Sequence, residues 1–206
     1  MKVAIIKYGM GNVTSVEKAL KKIGVSSTIT DNQDEIAKAD FIILPGVGAF
    51  KKGMENLQTS GLADFLTEQV IEKKKPFIGI CLGMQLVASD GNEPKPIKGL
   101  GWIDGDVIKI KSNLRVPHLG WNEVISKNEN SLFHDFQKQD FYFIHSYHFK
   151  PQDPKYVMLS VEYDGEKVAA IHKNNIYAVQ FHPEKSQEAG LTLLRNFLNW
   201  DGSDTI

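Results

Sequence analysis

Cys81 is the only cysteine in a chain of 206 residues, and it stands in Lys75-Pro76-Phe77-Ile78-Gly79-Ile80-Cys81-Leu82-Gly83-Met84-Gln85. An apolar run closing in Gly-x-Cys-x-Gly reads as a nucleophile elbow with cysteine in the nucleophile's place. In such an elbow a buried strand turns sharply into a helix and holds its nucleophile strained and exposed. Gly79 and Gly83 carry no Cβ, so strand and helix can approach closely around the thiol. About a hundred residues downstream, Gln180-Phe181-His182-Pro183-Glu184 offers an imidazole and a carboxylate able to orient it. A thiol with a pKa of about 8.5 is mostly protonated at neutral pH. His182 would take that proton, and Glu184 would fix the ring's tautomer and stabilise its cation. An acyl transfer also needs donors for the developing oxyanion. Leu82 supplies one N–H by elbow geometry, and the Pro45-Gly46-Val47-Gly48 loop supplies a second through Val47 or Gly48. No Gly-Lys-Ser/Thr follows that loop, so it is not a phosphate cradle. The helix beginning at the elbow is expected to favour the sulfur anion through its N-terminus.

These groups can meet only if the strands carrying them end on the same side of one sheet. The first half of the chain alternates strand-like and helix-like stretches: Val3 to Ile6 strand, Val13 to Ile23 helix closed by Gly24, Ser26 to Thr30 strand, Gln33 to Ala37 helix. Phe41 to Leu44 and Phe77 to Ile80 are continuous apolar runs, as strands covered on both faces show. Leu62 to Ile71 has helical spacing. The second half predicts strands at Val107 to Ile110, Phe141 to Ile144, Val157 to Val161, Val168 to Ile171 and Ile176 to Gln180, read as antiparallel additions around the sheet edge. Tyr163-Asp164-Gly165-Glu166 is a hairpin signal, and Ala189 to Trp200 a closing helix. Residues 90–99 are expected to form a mobile loop and 201–206 a frayed tail. The fold class is therefore α/β, a mostly parallel central sheet flanked by helices with antiparallel strand additions, in a single domain over 1–206.

Hydrophobic content of 42%, charged content of 24% and a formal net charge of −1 are those of an ordinary globular protein,. With no concentrated basic block, a nucleic-acid partner is not expected; Lys73-Lys74-Lys75 reads as a solvated helix end. One cysteine permits no internal disulfide, the N-terminal apolar stretch is too short for a signal peptide, and no run is long enough to span a bilayer. A cytoplasmic location and no membrane association are expected. His145-x-x-His148 lacks a third clustered ligand, so neither a metal nor another cofactor is expected; His118, His134 and His172 are read as structural or surface.

Gly79 to Gln85 together with His182-Pro183-Glu184 resembles the class I, triad-type glutamine amidotransferases, whose fold is flavodoxin-like. Tyr8-Gly9-Met10-Gly11-Asn12, Pro45 to Phe50, Pro117-His118-Leu119-Gly120-Trp121-Asn122 and Phe143 to Tyr147 extend the resemblance to one subgroup, the glutaminase subunits of imidazole glycerol phosphate synthases. It covers nearly the whole chain in order. The resemblance implies that Cys81 is the nucleophile, His182 the acid/base and Glu184 its orienting carboxylate. It implies glutamine contacts from Gly46, Gly48, Gln85, Glu93, His145, Ser146, Tyr147 and Pro183. It further implies a heterodimer with a (β/α)₈-barrel cyclase subunit in histidine biosynthesis, touched by Asn12, Trp121, Asn122, Tyr142 and Lys185. Reorientation of the Pro45–Gly48 loop is the expected switch, so a β-branched residue at Gly46 or Gly48 is expected to damage turnover more than stability.

Two departures leave a second acceptor open. Lys7 stands where the subgroup has aspartate, and Val87-Ala88-Ser89-Asp90-Gly91-Asn92-Glu93 replaces a Phe-Glu-x-Ser-Glu-Glu-like stretch. That stretch, with Gly99-Leu100-Gly101-Trp102 and His145-Ser146-Tyr147-His148-Phe149, is similar to paralogues supplying ammonia for acetamidino groups on bacterial surface sugars. A degraded, purely regulatory subunit and a cysteine peptidase of related fold are the remaining alternatives; the first conflicts with an intact triad and the second predicts peptide cleavage without a partner.

Overall fold

The computed structural model describes residues 1–93, 95–128, 132–133, 136 and 138–200. His134 and the expected frayed tail, 201–206, lie outside the described residues. Thirteen strands are described: β1 (Val3–Ile6), β2 (Ser27–Thr30), β3 (Phe41–Gly46), β4 (Phe77–Cys81), β5 (Ala88–Asn92), β6 (Pro96–Lys98), β7 (Ile103–Lys109), β8 (His118–Ser126), β9 (Asp140–His145), β10 (Tyr147–Pro151), β11 (Val157–Glu162), β12 (Glu166–Lys173) and β13 (Ile176–Val179). The α-helices are α1 (Val13–Lys22), α2 (Gln33–Ala37), α3 (Phe50–Thr59), α4 (Leu62–Thr67), α5 (Leu82–Leu86) and α6 (Gln187–Leu198), with α4 running on into a π-helical turn, Glu68–Glu72.

A large sheet runs β2-β1-β3-β4-β13-β12-β11-β8-β9. Its first five strands are parallel and the rest antiparallel. All residues of β1 and β4 are buried, as their continuous apolar sequences require of strands covered on both faces. One core lies under α1 and α6, built on residues such as Val16, Leu20, Leu194 and Phe197. The other lies under α3 and α4, around Phe50, Leu57, Leu66 and Phe77. The β11–β12 hairpin turns at Asp164 (φ 49°) and Gly165 (φ 91°), the paired positive angles that match strand twist.

Several expectations are corrected. β13 is not an edge addition: it lies next to β4 in the middle of the sheet, parallel to it. The reason is a tight reversal at Asn174-Asn175, with Lys173 paired to Ile176. The buried Asn175 amide donates to the carbonyls of Val70 and Lys75, and Phe77 N–H donates to Asn175 O. The turn is thus pinned against the start of β4, and the register of both strands follows. Residues 90–99 are not an irregular loop; β5 and β6 there belong to a second sheet, β10-β7-β5-β6. Gly91 allows this, because a Cβ there would come within 2.4 Å of the Phe50 ring. Helix α3 was unforeseen, although Phe50, Met54 and Leu57 are spaced at i, i+4, i+7,; Gly53 within it obscured the pattern. Lys75 is not simply a solvated helix end: its Nζ donates to the carbonyls of Ile36 and Ala39 at 3.3 and 2.9 Å, closing α2.

Candidate active site

Because β3, β4 and β13 are parallel neighbours, their carboxyl ends open on one side of the sheet, where open α/β sheets collect their reactive groups. Cys81 ends β4 with φ 55° and ψ −104°, a left-handed geometry that costs a non-glycine residue on the order of 1–3 kcal/mol and persists only when the surroundings enforce it. They do so here. A Cβ on Gly79 would meet Gly83 O at 2.6 Å, and one on Gly83 would meet Leu44 O at 1.8 Å. The helix that follows has five residues, so it offers the sulfur the unpaired N–H groups of a first turn rather than a long helix dipole.

His182 follows β13 and is fully buried. Its N–H donates to Tyr142 O, and Ser186 Oγ, itself an acceptor from Tyr142 N–H, donates to His182 O. These bonds clamp the turn to β9. Nδ1 donates to Glu184 Oε1 at 2.7 Å, both side chains essentially without solvent contact. The Asn12 amide, at the left-handed residue preceding α1, donates to the same oxygen. Burial alone would lower the pKa of His182, but the Cys81 sulfur and the Glu184 carboxylate raise it to about 10. Nε2 makes no complete hydrogen bond among the described residues, while the sulfur lies near enough to act on the ring's charge. The ring is thus tethered at one nitrogen and available at the other.

A cavity of about 340 Å³ opens at Cys81, lined by Val47, Gly48, Leu82, Gln85, Glu93, Pro117, Ile144, His145, Ser146 and Tyr147. The expected glutamine contacts Gly48, Gln85, Glu93, His145, Ser146 and Tyr147 all stand on its wall. Gly46 and Pro183 do not: Gly46 faces Tyr8 Oη and Leu82, and Pro183 packs under Gly190 of α6. Glu93 Oε2 accepts from Phe50 N–H at 2.8 Å, so the first turn of α3 holds this carboxylate at the cavity. His145 donates from Nδ1 to Tyr147 O at 2.8 Å, and burial, the largest cause, lowers its pKa to about 3. Its Nε2 lies 3.0 Å from Nδ1 of the buried His118, which stacks on Phe143 and Tyr163. Among the described residues, no cluster of metal-ligating side chains is present.

Of the expected partner residues, Trp121 and Tyr142 pair across β8 and β9, and Lys185 Nζ sits over the Tyr142 ring. Leu119, Trp121 and Ile144 are exposed apolar side chains on this edge, and Ile144 also lines the cavity. Asn122 lies 3.2 Å from His118 Nε2, and Asn12 is committed to Glu184. Gln180, Pro117 and Ile144 also stand at the site, Gln180 against the sulfur and the other two on the cavity wall, and were not expected there. Gln180 had one usable signal, a polar residue at the end of an apolar strand two positions before His182.

The chain matches the family model Glutamine amidotransferase class-I over residues 4–200. It is 48% identical to the imidazole glycerol phosphate synthase subunit HisH 2 of Vibrio vulnificus, over 97% of this chain and 95% of the relative. It is 43% identical to the protein of the same description from Pseudomonas aeruginosa, over 95% and 98%. A crystal structure described as a glutamine amidotransferase superposes with a TM-score of 0.78 at 18% identity, covering 95% of this chain and 96% of the other, a likeness of fold.

Proposed function

The chain belongs to the class-I glutamine amidotransferases, and on that premise we propose that it works, as one domain, as the glutaminase subunit of an imidazole glycerol phosphate synthase. The observation that carries the chemistry is the buried His182–Glu184 pair, 2.7 Å apart, beside a cysteine held at φ 55°. Glutamine is the substrate and no cofactor is required. The proton shared by Cys81 and His182 Nε2 rests on the imidazole, whose pKa is raised to about 10, and the sulfur attacks the side-chain amide carbon. The carbonyl oxygen takes up the negative charge, received by N–H groups of Leu82 and of Val47 or Gly48, each worth about 3–4 kcal/mol in comparable sites. The C–N bond then breaks, the nitrogen takes the proton from His182 and leaves as ammonia, and a thioester remains on Cys81. Water, losing a proton to His182, attacks the thioester; the C–S bond breaks, glutamate leaves and the sulfur recovers its proton. Glu184 holds the imidazole in place throughout. Glu93 faces the substrate ammonium, and Ser146 and Tyr147 its carboxylate.

The partner is a (β/α)₈-barrel cyclase subunit docked on the edge formed by Leu119, Trp121, Tyr142 and Ile144, with Asn12, Asn122 and Lys185 around it. Free ammonia is largely ammonium at neutral pH and a poor nucleophile, so direct passage from cavity to partner preserves its reactivity. No helix among the described residues is long and apolar enough to cross a membrane, and the assembly is read as cytoplasmic. Ammonia release from glutamine in the presence of the barrel subunit, abolished in Cys81→Ala, is the expected result; unchanged release in that variant would remove the triad reading. One observation favours a second acceptor. The divergent stretch Val87 to Glu93, which contains β5 (Ala88–Asn92) and reaches the cavity at Glu93, is similar in sequence to a paralogue supplying ammonia to a surface-sugar amidotransferase. Growth rescue of a histidine auxotroph lacking this subunit, with the chain's own partner supplied, supports histidine biosynthesis; failure with soluble protein supports the sugar.

A further inference from the structure

We propose that Gln180 is a catalytic residue of this site: its side-chain N–H holds the Cys81 sulfur as a thiolate, and the Tyr147 carbonyl dictates that orientation through Gln85. The inference deepens the reading of Cys81 as nucleophile and rests on it.

The Tyr147 carbonyl oxygen can only accept hydrogen bonds. Tyr147 O receives His145 Nδ1–H at 2.8 Å and Gln85 Nε2–H at 3.0 Å. The Gln85 amide must therefore turn its nitrogen towards this carbonyl. The same nitrogen lies 3.0 Å from Gln180 Oε1, to which its second hydrogen is donated. Gln180 is left with its own NH₂ facing Cys81 Sγ, at 3.6 Å. Reversing either amide would set two carbonyl oxygens against each other, or an oxygen against the sulfur. Gln180 is wholly buried, and its backbone N–H is held by Ala169 O at 2.8 Å. The donor has no solvent-exposed alternative.

The sulfur's other surroundings make this donor consequential. Ile144 O lies 3.9 Å from Sγ, where it can accept from the thiol but repels the thiolate. The Tyr8 hydroxyl is buried near enough for the sulfur's charge to act on it. His182, with Glu184 behind it, takes the proton, while Glu93 and the neutral His145 face the cavity. A hydrogen bond to an ionised acceptor is stronger than one to a neutral acceptor. The Gln180 N–H thus favours the state formed when the proton reaches His182, until the new C–S bond uses the sulfur's electron pair. A glutamine that merely filled space would leave the sulfur's titration unchanged.

The test is the pH dependence of alkylation by iodoacetamide, read by mass on the full-length chain, whose single cysteine makes the adduct unambiguous. In Gln180→Met the midpoint is expected to rise by about one pH unit, with the rate falling about tenfold at pH values below the parent's midpoint; the thermal midpoint falls as well, because Gln85 Nε2–H loses its acceptor,. Gln85→Met keeps Gln180 but frees its orientation; a rise of about half a unit is expected, and this variant decides the matter if Gln180→Met does not fold. A midpoint equal to that of the parent in either folded variant overturns the proposal. Alkylation reports on the sulfur whether or not glutamine is hydrolysed, so failure here is distinct from failure of the glutaminase reading.

Discussion

Ile80 and Val179 are partners in parallel register on the adjacent strands β4 and β13. The pairing sets Cys81 one residue beyond the first and His182 three beyond the second, at the same end of the sheet. Sequence separation of about a hundred residues is closed by one strand pair.

Glu184→Gln should leave the fold intact and lower glutamine turnover by on the order of 10²- to 10⁴-fold, because the carboxylate that fixes the ring is lost. The carboxylate is also one cause of the raised His182 pKa of about 10. Titration of His182 by NMR should therefore move down in the variant. An unchanged titration would mean that the pair in the structure does not control the imidazole.

Stability should fall on acidification. His145 and His148 are held neutral, chiefly by burial, with pKa values lowered to about 3 and about 4. Below about pH 6.5 the unfolded chain binds their protons and the folded one does not. Stability present above that pH is lost towards pH 4, at about 1.4 kcal/mol per pH unit for each ring. His182 runs oppositely: its contribution is complete below about pH 6.5 and is lost as pH rises through about 10. Urea midpoints across pH should thus peak near neutrality, and His148→Gln should flatten the acid limb. A profile level from pH 6 to 4 would contradict the burial of these rings.

Gly46 is a packing position as well as a loop position. A Cβ there would lie 2.1 Å from Tyr8 Oη, a buried hydroxyl with no hydrogen-bond partner among the described residues. Gly46→Ala should cost about 1–3 kcal/mol, and Tyr8→Phe should stabilise by about 1 kcal/mol, because it removes an unsatisfied polar atom. The double variant should recover most of the loss, a non-additivity measurable by chemical denaturation. At Gly48 the neighbour is the flexible end of Met10, and the positive φ of 124° is the constraint, so a β-branched residue there also carries backbone strain.

Trp121 is 45% exposed and packs edge-on against Tyr142. Trp121→Ala should weaken binding to the barrel partner about 30-fold, the loss of an aromatic anchor worth about 2 kcal/mol. Alkylation of Cys81 in the isolated chain should be unaffected. Calorimetric titration with the partner checks the first, and equal affinity would place the interface elsewhere.

The elbow, the His-x-Glu pair and most strands and helices were legible because each depends on local residue type: glycines flanking a turn, apolar runs of strand length, helical spacing. The helix at Val13 and the hairpin at Asp164-Gly165 formed as their residues dictated. The strands His118–Ser126 and Tyr147–Pro151 were not foreseen, since glycine, proline and histidine interrupt their alternation and cross-strand pairing decides their conformation.

The sequence by itself determined which residues can do chemistry here: one thiol, one base, one carboxylate and a glycine-rich loop. Only the tertiary structure decided their company. Parallel insertion of β13 beside β4, fixed by the buried Asn175, brought His182 to the sulfur. Hydrogen bonds between residues far apart in the chain then chose one orientation for Asn12, Gln85 and Gln180. A side-chain amide has no preferred direction until a fixed carbonyl or carboxylate is placed against it, and that placement is a property of the fold.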